Sequence, residues 1–139
     1  MLKVNYSLLD GNEVTGFEMG YISFDVSVCE EKRCQDKQSV MIFLTISEII
    51  SGIIEYEKNN LAYKEISAVD SSLSISFVRE DKSTKLFLNN ELVAIENTKQ
   101  IINEFLTSSV EFCKPYYATF HNSVKADLEH GFDEILKMI

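Results

Sequence analysis

Apolar and polar residues alternate in several short segments of this chain, and this pattern constrains its fold more than any other feature. In the segment Tyr21–Cys29, every second residue from Ile22 to Val28 is apolar, and the residues between them are polar. Such alternation is typical of a half-buried β-strand. Similar alternation, or a short apolar run between turn residues, predicts further strands at Leu2–Leu8, Val40–Leu44, Tyr63–Val69, Leu73–Val78, Lys85–Leu88 and Glu91–Ile95.

Short polar segments separate these predicted strands. Glu30–Ser39 (EEKRCQDKQS) carries charges of both signs and predicts a turn between two hairpin strands. Asn89 and Asn90 can both adopt positive φ, which favours a tight two-residue hairpin. Strands joined by connections this short run antiparallel, so we expect a mainly antiparallel sheet.

The isoleucine-rich segment in the middle of the chain predicts the first helix. Thr45 and Glu48 have the spacing of a capping box, and Asn59–Asn60 can end the helix, which we place at about Ser47–Lys58. Gly52 lies inside it and favours close packing against a neighbour. Apolar residues recur at the i, i+3, i+4, i+7, i+8 spacing of one helical face, namely Ile46, Ile49, Ile50, Ile53 and Ile54.

Two more helices are predicted in the C-terminal third. Asn97 or Thr98 can cap the first of them, and Pro115 interrupts it. We expect the second helix to start afresh at about Tyr116 and to continue to the end of the chain, with Gly131 as a point where it divides or continues. Its apolar residues keep a near-heptad spacing.

Together these segments predict one α+β domain over residues 1–139. The expected order is β-β-β-α-β-β-β-β-α-α, with about six to seven strands in a mainly antiparallel sheet and two to three helices packed on one face. A chain of this length buries most of its unfolded surface in a single core and leaves no room for a second full domain.

The charge balance excludes several classes of function. Thirteen Lys and Arg stand against 22 Asp and Glu, so the net charge is 13 − 22 = −9 and the pI is near 4.7. Because nucleic-acid affinity depends largely on basic side chains, we expect no direct contact with DNA or RNA.

The N-terminus does not resemble a signal peptide, and the longest dense apolar run, Val40–Ile46, is far shorter than a bilayer span requires. We therefore expect a soluble, cytoplasmic protein that does not bind membranes.

Residues with catalytic potential form no recognisable motif. There is no glycine-rich phosphate loop, Gly-x-Ser-x-Gly turn, Cys-x-x-Cys pair or His-Glu-x-x-His helix, so we expect no enzyme, no cofactor and no metal site. His121 and His130 are nine residues apart and would point to opposite sides of a helix. Cys29 and Cys34 could bridge a hairpin, although free thiols are expected in the cytoplasm, and Cys113 lies in an apolar stripe that predicts a core position.

The segment Phe112–His121 (FCKPYYATFH) concentrates aromatic residues around Pro115. Such a cluster can be a packed helix corner, a binding hot spot or the lining of a ligand pocket between the sheet and the C-terminal helices. The last possibility would make the protein a small-molecule-binding or regulatory domain. Tyr116 differs in phase from the core stripe, so we expect it to be the most exposed of these residues.

In size, acidity, unpaired cysteines and element order, the chain resembles the immunity proteins that bacteria make against polymorphic and contact-dependent growth-inhibition toxins. That resemblance implies stoichiometric inhibition of a cognate toxin with a basic surface, such as a nuclease. Acidic side chains would speed the encounter, and a few aromatic residues would anchor the complex. We favour a monomer over a homodimer. The hypothesis assigns the partner-binding surface to Asp25, Glu30, Glu31, Glu55, Glu57 and Tyr116.

Overall fold

The computed structural model describes residues 1–9, 14–28, 31–34, 38–69 and 72–138. The first half contains strands β1 (Leu2–Leu8), β2 (Met19–Val28), β3 (Glu31–Cys34) and β4 (Gln38–Met41), followed by helix α1 (Ile42–Lys58). The second half contains β5 (Tyr63–Ser67), β6 (Ser74–Glu80), β7 (Ser83–Leu88) and β8 (Glu91–Asn97), then α2 (Thr98–Cys113), a 3₁₀ turn (Lys114–Tyr116) and α3 (Asn122–Leu136).

The first sheet is built around β2. On one side β2 pairs antiparallel with β1, from Leu2 opposite Val26 to Leu8 opposite Gly20. On its other side β3 pairs with residues 25–28 and β4 with residues 19–22, so that these two short strands follow each other along one edge. The prediction of a turn throughout Glu30–Ser39 is therefore wrong for β3, because backbone pairing with β2 needs no apolar side chains.

The second sheet is a four-stranded antiparallel meander in the order β5-β6-β7-β8. Asn89 and Asn90 join β7 to β8 with φ values of 50° and 69°, which confirms the predicted tight hairpin. Asp81, at φ 56°, occupies the corresponding turn between β6 and β7. The strands therefore form two sheets within one α+β fold.

Helix α1 begins earlier than its predicted start. The sequence predicts a strand over the apolar run 40–44, but the strand ends at Met41, and the Ile42 amide donates to the Glu18 carbonyl as the chain turns into the helix. Short apolar runs fit either structure, and here the burial of Ile42 and Ile46 follows a helical spacing. Thr45 lies inside the helix, buried, rather than capping it, and its hydroxyl has no hydrogen-bond partner among the residues that the structure describes.

Two glycines allow α1 to be approached closely from both sides. A Cβ atom on Gly52 would lie 2.5 Å from Ile66 on β5, and one on Gly131 would lie 2.9 Å from Ile50 on α1. Both distances are shorter than any side chain tolerates without a shift. Close packing on β5 therefore explains a glycine in the middle of α1, and α3 continues through Gly131 without dividing.

The C-terminal helices differ from the prediction at their junction. Asn97 caps α2, its side chain accepting a hydrogen bond from the Lys99 amide at 3.0 Å. After Pro115 the chain makes a 3₁₀ turn, and α3 starts at Asn122 rather than near Tyr116. The His121 ring accepts from the Ser123 amide and caps α3, and its own amide donates to the Thr15 carbonyl.

One continuous hydrophobic core joins both sheets and the helices. Helix α1 contacts β2 and β4 in the first sheet and β5 in the second, while α2 contacts β1, β7 and β8. Helix α3 packs mainly on α1. The predicted α+β class, the antiparallel strands and, apart from the additional strand β3, the element order are confirmed. No helix in the described part of the chain combines the length and apolarity needed to cross a membrane.

Candidate protein-binding site

Most carboxylates of the surface proposed from sequence already have partners within the protein. Asp25 lies on the outer face of β2 and accepts a hydrogen bond from the Asn5 side-chain amide at 2.8 Å. Glu55, on an exposed turn of α1, forms an ion pair with Lys64 of β5 at 2.7 Å. A carboxylate that already has a cation beside it attracts a basic partner less strongly.

Glu57 is held still more firmly. Its carboxylate pairs with the Arg79 guanidinium at 2.7 Å, and Arg79 also donates to the carbonyls of Leu61 and Tyr56. The guanidinium carbon lies 4.2 Å from the centroid of the Tyr56 ring, a cation–π geometry. Glu57 is therefore one member of a half-buried network that fixes the C-terminal end of α1 to β6.

Tyr116 is half-buried, not the exposed residue that its phase predicted. Its ring lies 5.7 Å from that of Phe43 and 5.9 Å from that of Phe112. Phe43 also stacks on Phe112 at 5.4 Å and meets Phe120 edge-on at 4.7 Å. We call Phe43, Phe112, Tyr116 and Phe120 the aromatic cluster. Its rings pack on one another at the place where the sequence suggested a ligand pocket.

The structure does not bring the proposed residues together on one surface. Phe43, beside Tyr116, and Glu57 are 57 − 43 = 14 residues apart on α1, which corresponds to about 21 Å along the helix axis. Asp25 lies in the first sheet, and Glu31 is the first residue of β3. Glu30, like Cys29 of the suggested disulfide, lies outside the described residues.

Residues considered for catalysis or metal binding have structural surroundings. Cys113 is a buried free thiol, and burial raises its pKa to about 12, so it is protonated at neutral pH. Its predicted core position is confirmed. His121 serves as the cap of α3. In the described part of the chain, no three His, Cys, Asp or Glu side chains are grouped as a metal site would require.

Helix α3 presents carboxylates along two sides. Residues 122–136 contain one lysine and four acids, a formal balance of 1 − 4 = −3. Two of the acids form only loose pairs, Glu129 with Lys125 of the same helix at 4.0 Å and Glu134 with Lys137, just after the helix, at 3.7 Å. The Asp127 and Asp133 carboxylates form no ion pair with any residue that the structure describes.

The first side of α3 borders α1 in what we call the α1/α3 groove. Asp127, His130, Gly131 and Glu134 follow one another at i, i+3, i+4, i+7 and face Ser47, Glu48, Ser51, Ile54 and Lys58 of α1 across a volume of about 440 Å³. Three carboxylates and one lysine line it, so its formal charge is 1 − 3 = −2 with neutral histidine. The groove is polar and negative.

The second side of α3 borders α2 in what we call the α2/α3 groove, of about 380 Å³. Glu129, Phe132, Asp133 and Leu136 face Val110, Lys114 and Tyr117. Leu136, at the C-terminal end of α3, is 57% exposed. Desolvation, with a contribution from the nearby Glu129 and Asp133 charges, raises the pKa of Tyr117 to about 12.

The α3 carboxylates were not among the residues predicted to bind a partner. Neighbouring residues on a helix point in different directions, so Asp133 and Glu134 line different grooves. The sequence signal that could have identified the α3 carboxylates is the excess of acids over lysines in 122–136. At helical spacing these acids fall on both sides of the buried apolar face of the helix.

The fold and the two grooves define an acidic α+β protein with an open, negatively charged helical surface. Comparisons with protein-family models, with curated proteins and with solved structures found no significant match to this chain.

Proposed function

We propose that this protein binds a basic protein toxin and neutralises it stoichiometrically, the role that resemblance to bacterial immunity proteins implies. The observation that carries the proposal is the surface of α3, where four carboxylates border two grooves and two of them form no ion pair with any described residue. Such a surface attracts a positively charged partner and raises the association rate, while apolar groove residues supply the contacts that slow dissociation. The partner would be met in the cytoplasm and bound without a cofactor.

The surface assigned from sequence remains a separate hypothesis. Asp25, Glu55 and Glu57 are engaged by neighbours, so reversing their charge also removes internal contacts. The α3 carboxylates allow a cleaner test because, among the described residues, none of them forms an ion pair with another helix or strand.

The experiment is co-expression with the protein encoded directly upstream, scored by growth and by a complex on size-exclusion chromatography. We expect wild type to restore growth through a one-to-one complex. The variant D127K/E129K/D133K/E134K should lose at least about a hundredfold in affinity, since several charge contacts of about 1 kcal/mol or more are reversed together.

The matched control reverses four carboxylates outside α3 that form no ion pair with a described residue, Glu65, Glu91, Glu96 and Glu111, and changes net charge by the same amount. Equal loss in both variants would mean that only overall charge matters. Absence of any growth defect to rescue, or rescue by the α3 variant, would overturn the proposal.

A further inference from the structure

The α2/α3 groove differs from its neighbour in having an apolar floor. Val110, Tyr117, Phe132 and Leu136 line it, and Leu136 remains 57% exposed. In the α1/α3 groove, Ile54 is the only large apolar side chain among the lining residues. Removing apolar surface from water drives association, so the α2/α3 groove can anchor a partner whereas the α1/α3 groove mainly attracts one.

Charge is distributed unequally across the α2/α3 groove. Glu129 and Asp133 lie on the α3 wall, and Lys114 lies at the end of α2 on the opposite wall. A segment that enters the groove therefore meets negative charge on one flank and positive charge on the other. This asymmetry favours basic side chains toward α3 and acidic or neutral side chains toward Lys114.

We propose that the α2/α3 groove binds an amphipathic basic helix of the protein partner, an inference that rests on the proposed function. The α3 wall from Glu129 to Leu136 comprises eight residues and a rise of about 10 Å along the helix axis. Two turns of a docked helix cover that length and place apolar residues at i, i+3 and i+4 in the groove. Its lysines or arginines at flanking positions lie toward Glu129 and Asp133.

The test uses a fluorescent 15-residue peptide of leucine and lysine with leucines on one helical face, measured by fluorescence anisotropy at physiological salt. A scrambled peptide of the same composition controls for charge alone. We expect L136K, and separately E129K/D133K, to weaken binding about tenfold or more. K114E should strengthen it a few-fold, because that variant removes the only cation lining the groove.

Two matched controls separate the groove from the rest of the surface. L92K introduces the same change at another exposed leucine, 49% exposed on β8, and D127K/E134K makes the same charge change on the other side of α3. Both variants should bind the peptide with an affinity within about twofold of wild type. The circular dichroism spectrum should be unchanged for every variant. Equal weakening by D127K/E134K, equal binding of the scrambled peptide, no effect of K114E, or no binding at all would overturn the inference.

Toxin neutralisation distinguishes this inference from the function on which it rests. If E129K/D133K and L136K still neutralise the toxin while the fourfold α3 variant does not, the groove assignment fails and the proposed function stands. If the peptide binds as expected but no neutralised toxin is found, the proposed function fails.

Discussion

The two ends of helix α1 are attached to the rest of the protein by different kinds of contact. At its N-terminal end, Phe43 packs in the aromatic cluster, and the buried Thr45 hydroxyl has no hydrogen-bond partner in the described part of the chain. At its C-terminal end, the buried Tyr56 hydroxyl shares a hydrogen bond with Thr84 at 2.9 Å, and Thr84 shares one with Thr98 at 2.7 Å. Arg79 adds an ion pair with Glu57 and hydrogen bonds to two carbonyls at the same end.

This difference shows how one helix can be fixed to two sheets. At the N-terminal end, the Ile42 amide donates to the Glu18 carbonyl, but the side-chain contacts of the aromatic cluster are apolar and nondirectional, so they stabilise without specifying register. Hydrogen bonds at the C-terminal end are directional and specify where β6, β7 and α2 lie relative to α1. Substitutions at the two ends should therefore differ in how much they lower the free energy of unfolding and in the kind of contact that they remove.

The largest effect is expected for Phe43→Ala. Removing a fully buried ring from the aromatic cluster leaves a cavity and should lower the free energy of unfolding by about 3–5 kcal/mol. Urea denaturation followed by circular dichroism measures it. Phe17→Ala, at a ring that is 46% exposed, is the matched control and should cost far less. A similar loss of unfolding free energy in both variants would show that the aromatic cluster is not a tightly packed core.

Arg79→Met should have the next largest effect, about 2–3 kcal/mol. It keeps the apolar stem but removes the donors to two carbonyls and leaves the half-buried Glu57 carboxylate without a cation. The double variant Arg79→Met/Glu57→Gln should recover part of that loss, because no charge is then left unpaired. Failure to recover any of it would show that Arg79 acts through the carbonyls and the Tyr56 ring alone.

Substituting the two buried threonines by valine should give different outcomes. Thr84→Val leaves the Tyr56 and Thr98 hydroxyls without their shared partner and should cost about 1–3 kcal/mol. Thr45→Val removes a hydroxyl that has no partner, so stability should be unchanged or should rise by up to about 1 kcal/mol. Thermal unfolding of the two variants side by side makes the comparison, and equal destabilisation would contradict the contrast between the two ends.

The smallest effect is expected for Glu55→Gln. Its ion pair with Lys64 has a carboxylate side chain that is 55% exposed, and such pairs contribute about 0–1 kcal/mol. The difference from wild type should vanish in 1 M salt, where the Debye length is about 3 Å. Glu57→Gln, measured in the same way, should keep a difference at high salt because its pair is half-buried.

Much of the fold could be predicted from local pattern. Alternation located the strand segments, the paired asparagines identified the β7–β8 hairpin, and isoleucine spacing located most of α1. The predicted start of α1 is wrong because the apolar run 40–44 fits both the two-residue period of a strand and the 3.6-residue period of a helix. Only the turn at Ile42 beside Glu18 decides between them. Strand β3 was missed because its sequence, EKRC, carries no apolar alternation.

The candidate site was less predictable than the fold. The sequence shows that Glu55, Glu57, Asp127 and Asp133 are acids, but not which of them has a cation beside it. Arg79 is 22 residues from Glu57, and that pairing exists only because β6 packs beside the end of α1. The acids of α3 keep their charge available because no basic side chain from another element reaches them among the described residues.

The sequence by itself determined the α+β class, the element order, the core position of Cys113 and the excess negative charge. These properties follow from residue type and from contacts between residues near one another in the chain. The tertiary structure alone decided that the strands divide into two sheets, that Tyr116 packs inward and that α3 borders two grooves of different polarity. Such features depend on residues distant in sequence, and local periodicity carries no information about which of those residues meet.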